Sequence, residues 1–578
     1  MLARKLGCVC RCTLARDRWL SIPEFYRLAW QPARISRKKA AMTSLAHVSN
    51  PQVPREATRR RTFAVISHPD AGKSTLTEAL LLHARAITSA GATHGKAGRS
   101  GTVSDWMAME QARGISVTSA AIQFDYHDAV INLVDTPGHA DFSEDTFRVL
   151  SAVDAAVMLV DAAKGLEPQT MKLFAVCKQR GLPVITVINK WDRPGDTPLA
   201  LMDEIQIRTG LLPTPLNWPV GEAGDLRGVL DRRSGDFLRY TRTAGGATIG
   251  ESVRLHAAEA ALEEGEAWTS AVEESDLLDA ESQNHDSELF LDGQTTPVLF
   301  CAAVANFGVQ QLLDTLVEFA PPAEARLDIE GQPRSITSPF SGFVFKVQSG
   351  MNSAHRDHVA FVRVCSGEFR RGMIVTHAAT GRPFATKYAQ QLFGKERTVT
   401  DQAWPGDIVG LVNASALRVG DSIFEDEWVE FPPLPLFSPE HFRAIRPVDS
   451  SKHKQFRRGI DQLDHEGVIQ VMRSEVRGEQ APVLGAVGPM QFEVVEDRMV
   501  HDFHADIRME ALPYQVARKT DRESAVLLAG MRQVEVFTRS DDTLLALFST
   551  PWRLQAIAKE NPKLVLIDIA NATADDFM

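Results

Sequence analysis

The chain has 578 residues, 44% apolar and 24% charged, with a net charge of −11. That balance excludes wholesale disorder, a fibrous repeat and a cationic coat spread over the whole molecule. Six cysteines are too few for a dense disulfide framework and fit a reducing compartment, and no run of about 18 uncharged apolar residues is present to span a bilayer.

Charge is uneven along the chain. Residues 1–61 hold 14 Lys+Arg against 3 acids, while the remaining 517 residues carry a net charge of −22. Residues 1–55 read as a basic, disordered N-terminal extension, since Pro23 and Pro32 break any long helix and the apolar residues lie in one short patch. Arginine-rich, acid-poor composition also describes organellar transit peptides. The reading taken is a dispensable tail, or an upstream start with initiation at Met42. Cys8, Cys10 and Cys12 lack the second distant pair of a zinc site and are not read as metal ligands.

Thr62–Ile66 is a β-prone run, followed by Ser67-His68-Pro69-Asp70-Ala71-Gly72-Lys73-Ser74-Thr75 and then by a helix-forming stretch. Strand, tight loop and helix are the setting of a phosphate-binding loop. Gly72 lets the backbone approach phosphate oxygens, and the loop N–H groups present a fixed positive field. Lys73 is placed for the β- and γ-phosphates and Ser74 for Mg²⁺. Ser67 stands where the strict motif has glycine.

Val130–Asp135 reads as a buried strand ending in an acid, followed by Thr136-Pro137-Gly138-His139. Asp135 is placed to hold Mg²⁺ through water, Gly138 to offer its N–H to the γ-phosphate, and His139 to orient a water. Ser116, in Arg113-Gly114-Ile115-Ser116, is a candidate switch ligand for the same metal. Ala155–Asp161 reads as a strand serving only the core. Pro183–Ile188 runs into Asn189-Lys190-Trp191-Asp192, whose Asp192 carboxylate can accept from guanine N1–H and the 2-amino group. Adenine has no matching donors. Pro297–Phe300 leads to Cys301-Ala302-Ala303, where a backbone N–H is expected to cap the base. Five such elements in this order point to GTP and GDP as ligands, with Mg²⁺.

These motifs resemble the translational GTPases. Within them, S-H-P-D-A-G-K-S, R-G-I-S-V-T-S and Asn306-Phe307-Gly308-Val309 are similar to peptide chain release factor three, the class II bacterial release factor family. Phe343–Gln348, His355–Arg363 and Gly485–Val494 resemble its later domains, and the likeness covers about residues 58–578. The resemblance implies a cytoplasmic GTPase that works on the terminating ribosome, contacts ribosomal RNA and proteins, and promotes dissociation of class I release factors after peptide release. It implies catalytic roles for His139 and Lys73 and no membrane partner. Ala302 departs from the family's serine or threonine there.

The expected architecture is a multidomain chain: an α/β P-loop GTPase domain at 56–330, an antiparallel β-barrel at 331–435 and a small α+β domain at 436–578. Residues 193–296 form an insertion in the first, with a helix over Leu255–Thr269 and an exposed acidic stretch over Asp276–Ser287. In the third, His441–Pro447 and Val468–Arg473 read as strands, and Ser451–Leu463 and Met490–Val500 as helices. Lys452, His453, Lys454, Arg457 and Arg458 form a basic cluster that is either a solvated helix face or a phosphate contact. The rival readings are a translocase like elongation factor G, a GTP-dependent ribosome-binding module, and an ATP-using enzyme. The guanine motif argues against the last. No arginine in the phosphate loop or the D-T-P-G-H loop offers an internal finger, so intrinsic hydrolysis is expected to be slow and to need an outside activator.

Overall fold

The computed structural model describes residues 50–87, 118–225, 227–241, 248–281, 283–349, 358–393, 396–434, 437–474, 476–478 and 481–569. The N-terminal cysteine cluster and Ser116 lie outside the described residues.

Continuous apolar runs form the strands of a parallel sheet, because both faces are covered. These are β1 (Arg60–Ser67), β3 (Ala129–Asp135), β4 (Ala155–Asp161), β5 (Val184–Asn189), β6 (Leu212–Pro215) and β11 (Thr295–Phe300). Their order is β3-β1-β4-β5-β11-β6, with β2 (Ala120–Tyr126) antiparallel beside β3. Helix α1 (Lys73–His83) follows β1, and α2 (Ser143–Leu150) lies between β3 and β4. The phosphate loop, the D-T-P-G-H loop and the N-K-W-D loop therefore all leave the same carboxyl edge of the sheet, where α/β folds bind ligands.

The insertion shares the core of the parallel sheet, with Trp218 edge-on to Phe300 at 5.3 Å and Phe237, Trp268 and Leu278 in the same cluster. Strands β7 (Asn217–Val220), β8 (Gly228–Asp231), β9 (Asp236–Tyr240) and β10 (Ser252–Leu255) form an antiparallel sheet. The expected single helix is two, α3 (Ala257–Glu264) and α4 (Glu266–Ala280), because Gly265 takes φ +58° between them. Leu278 and Gln283 are buried, so the acidic stretch is not wholly exposed.

Strands at Ser341–Ser349, His358–Ser366, Ala389–Phe393 and Ile408–Val412 form the antiparallel barrel layer. Phe393 pairs with Ile122 of β2, so the sheet runs without interruption from the GTPase domain into the barrel. The junction is polar and buried. The Gly406 carbonyl accepts from Thr62 Oγ1 and Arg363 Nη1, each at 2.7 Å, and from Asn132 Nδ2 at 3.2 Å. Asp407 Oδ1 accepts from Gln123 at 2.6 Å, and its Oδ2 lies 2.7 Å from Arg60 Nε, an ion pair without the alignment of a directed hydrogen bond. Arg363 also reaches Asp154 at 2.6 Å. Gly406 has φ +107°, and a Cβ there would stand 2.9 Å from the Arg60 Cβ, so only glycine suits the position.

The last domain is a seven-stranded antiparallel sheet. Helices α5 (His453–His465) and α6 (Met490–His501) pack on it through Phe456, Ile460, Leu463, Phe492 and Val495, around Ile445 and Leu484. Strand His441–Pro447 has the predicted limits, and both helices fall within a few residues of theirs.

Two outcomes follow from this packing. Asp407→Ala removes the carboxylate that meets Arg60 Nε and Gln123, leaving Arg60 its Nη1 pair with Glu56 at 2.8 Å, so unfolding free energy is expected to fall by about 1–3 kcal/mol in chemical denaturation. A loss below about 1 kcal/mol would show that the junction is not held this way. Burial also lowers the pKa of His68, His83, His285, His358 and His465. The unfolded chain, with histidines near pH 6.5, then takes up protons before the folded chain does. This part of the stability is complete above about pH 6.5 and is lost as pH falls toward the folded values. His358→Gln is expected to flatten the fall in Tm between pH 7.5 and 5.5 relative to the parent chain; parallel curves would count against it.

Candidate functional site

Ser67 is the last residue of β1, buried and paired with Leu159, and its hydroxyl donates to the His68 carbonyl at 2.8 Å. The backbone there is extended, which explains why glycine is not required. His68 is wholly buried, with its Nε2 3.5 Å from Glu167, and burial keeps its ring neutral. Pro69 is half-buried and Asp70 exposed, with Asp70 at φ +65°. Ala71 is buried, and Gly72 turns the chain at φ +100° into α1. The side chain of Lys73 is largely buried, while Ser74 and Thr75 are half-buried on the first turn.

The D-T-P-G-H loop closes directly on this loop. Asp135 pairs with Val65 across the parallel sheet and is buried. Thr136 Oγ1 donates to the Val65 carbonyl at 2.8 Å, which ties the loop to the end of β1. A Cβ at Gly138 would stand 2.9 Å from Lys73 Nζ and 3.6 Å from the Cα of Pro69. The Lys73 ammonium thus lies against this segment, beside the buried Pro137. His139 is about one-third exposed and its Nδ1 lies 3.1 Å from Asp141 Oδ1.

The third group of residues is bound to the first. Asn189 Nδ2 donates to the Ala71 carbonyl at 2.9 Å, and its Oδ1 accepts from the Ala303 N–H at 3.0 Å. A Cβ on Gly72 would come within 2.6 Å of the same amide nitrogen. One carboxamide thus joins the phosphate loop to the loop after β11, where Ala302 and Ala303 are buried. Lys190 stands at φ +67°, with its Nζ 2.9 Å from Asp161. Burial disfavours the Asp161 anion, but the Lys190 ammonium and the Ala163 N–H outweigh it and hold the carboxyl below the usual range. Asp192 Oδ1 is buried and, among the described residues, has no hydrogen-bond partner. The side chain of Trp191, in the same motif, is fully buried against Phe300, with ring centroids 4.9 Å apart.

Two residues of this region carry no motif of their own. Asp161 closes a strand whose sequence points only to the core, yet it fixes Lys190. Its position, an acid ending an apolar run, was the available signal. Asp141 accepts from the Met490 N–H at 2.7 Å, at the opening of α6 in the last domain. A Cβ on Gly488 would collide with that carboxylate. Phe142 packs beside it with Val494, Met490 and Val468, and Arg148 of α2 donates to the Gly467 carbonyl at 3.2 Å. Nothing in the local sequence announces a partner some 350 residues away.

Among the described residues no group of three or more His, Cys, Asp and Glu is gathered as a protein-only metal site. No helix among them is long and apolar enough to cross a membrane.

Comparison with known proteins agrees with this arrangement. Residues 58–322 match the elongation factor Tu GTP binding domain, 339–426 match elongation factor G domain 2, and 431–558 match the class II release factor RF3 C-terminal domain. The chain is 44% identical over 538 residues to peptide chain release factor 3 of Gloeobacter violaceus, covering 90% of this chain and 100% of that one. It is 44% identical over 517 residues to the protein of the same name from Trichodesmium erythraeum, covering 89% and 95%. A crystal structure from Thermus thermophilus shares the fold at 22% identity, with a TM-score of 0.63 over 83% of this chain and 73% of that one. Three domains in this order, with full-length relatives at this identity, mean that the chain belongs to the peptide chain release factor 3 family of translational GTPases.

Proposed function

We propose that the chain is a ribosome-stimulated GTPase of translation termination that promotes dissociation of class I release factors after peptide release. The observation that carries the nucleotide reading is the buried, unpartnered Oδ1 of Asp192, at a loop tied through Asn189 to both the phosphate loop and Ala303. A guanine edge supplies the missing donors. The relatives' name carries the termination role, and the class II release factor match at 431–558 favours it over a translocase.

In this reading Lys73 and the loop N–H groups at Asp70–Thr75 cradle the β- and γ-phosphates, and Gly138 faces the γ-phosphate. His139 orients a water for attack on the γ-phosphorus; the bond to the bridging oxygen breaks, leaving GDP and inorganic phosphate. Ser74 on the first turn of α1 and Asp135 at the end of β3 are hard oxygen donors, which suits Mg²⁺, with Ser116 as a further hydroxyl ligand outside the described residues. Bound there, the metal neutralises charge on the phosphate oxygens. Asp141, two residues beyond His139, carries the state of this loop to the last domain through Met490.

Asp192→Asn is expected to shift preference from GTP toward xanthosine triphosphate, since an amide N–H donates to a 2-oxo group. Competition binding reads the shift, and an unchanged preference would refute the base-pocket assignment. His139→Ala is expected to leave GTP affinity nearly intact and to lower ribosome-stimulated turnover by roughly 10²-fold or more. Multiple-turnover assays with and without ribosomes, run beside recycling of a class I factor, test both this role and the proposed function; wild-type turnover in the variant would remove His139 from the chemistry.

A further inference from the structure

Helix α5 presents Lys454, Arg457 and Arg458 to solvent, on the side opposite Phe456, Ile460 and Leu463. Lys454 and Arg458 are one turn apart, so two like charges share one strip of surface, an arrangement that destabilises an isolated helix. Lys452 adds positive charge at the opening turn, which holds no acid, against the sense of the helix dipole. Among the described residues neither Lys454 nor Arg458 has a carboxylate at ion-pair distance. Arg457 has only Asp461 at 3.9 Å, whose other oxygen stands 3.0 Å from Arg473.

The helix cannot turn this face elsewhere. Its apolar stripe is buried, and at Gly459 the backbone is pressed so close to α6 that a Cβ would meet Met499 Sδ at 2.5 Å. The charges are therefore held on a rigid element before any partner arrives. They also stand out against the chain as a whole, which is acidic by 11 charges. A crowded cationic strip on a fixed helix, with Asp461 its only carboxylate at ion-pair distance among the described residues, suits a polyanion, and long side chains carrying ammonium and guanidinium donors suit the oxygens of a phosphate backbone.

We infer that the exposed face of α5 docks on the phosphate backbone of ribosomal RNA and so orients the last domain on the ribosome. This rests on the reading of the chain as a ribosome-dependent factor.

The test compares the full chain with the triple variant Lys454→Gln, Arg457→Gln, Arg458→Gln. A control triple variant, Arg522→Gln, Lys559→Gln, Lys563→Gln, removes the same charge from exposed positions elsewhere in that domain. Binding to purified 70S ribosomes is measured over a salt series, with hydroxyl-radical footprinting of the RNA. Each phosphate contact contributes about 0.7–0.9 to the slope of log K against log salt, so the α5 variant is expected to lose about 2 from the slope and the control nothing. The α5 variant is also expected to lose a ribose protection that the full chain gives, while its GTP affinity and Tm stay unchanged. An unchanged slope, or an equal loss in the control, overturns the inference. A lost slope with every protection retained overturns the RNA assignment in favour of an acidic protein surface. If the unaltered chain neither binds ribosomes nor is stimulated by them, the parent reading fails first.

Discussion

The Asn189 carboxamide donates to Ala71 and accepts from Ala303, and the remaining geometry of the carboxyl edge follows from those two bonds. The amide is buried, so a lost partner would leave an unsatisfied group at a cost of about 1–3 kcal/mol. Its nitrogen occupies the space that a side chain at residue 72 would need, which couples the left-handed turn at Gly72 to the end of β5. Asp70, Lys190 and Asn306 also take positive φ values on the same loops. Such conformations persist only where neighbouring contacts over-determine them. Phosphate loop, base loop and capping loop are consequently one hydrogen-bonded body rather than three adjacent segments.

Among the described residues, the joins of this body to the barrel and to the last domain differ in kind. At the barrel, Gly406, Asp407 and Arg363 form a buried network with β1, β2, β3 and the turn before β4, continued by a shared sheet. At the last domain the contact near the site is one carboxylate on one N–H, a small apolar patch around Phe142, and the Arg148 reach to Gly467. Breaking the first exposes several charged groups together; the second has few partners to lose. A shift in the D-T-P-G-H loop is therefore felt most directly at α6.

Most of the parallel sheet was legible because its strands are mainly apolar runs closed by a polar residue: Val130–Asp135 and Pro183–Asn189, each with one polar residue inside, announce both their burial and their chemistry. The helices of the last domain were legible from the 3.6-residue spacing of Phe456, Ile460 and Leu463. What stayed hidden depends on contacts distant in sequence. Strand β7 contains Pro219, which obscures its pairing, and the break at Gly265 lies inside a stretch that otherwise favours helix. Trp191 sits in a binding motif but is claimed by the core, while Asp161 and Asp141 gain their roles only from Lys190 and Met490.

The pairing of Ile122 with Phe393 also bears on how the chain is made. Strand β2 is the outer strand of the GTPase sheet until the barrel strand joins it, and the two pairing residues are about 270 positions apart. At roughly 5–20 residues per second, a ribosome takes about 15–50 s to make that stretch. For that interval the new domain carries an open sheet edge, the template on which strands of other chains add. Newly synthesised copies on one messenger thus carry this unpaired edge side by side until residue 393 has emerged.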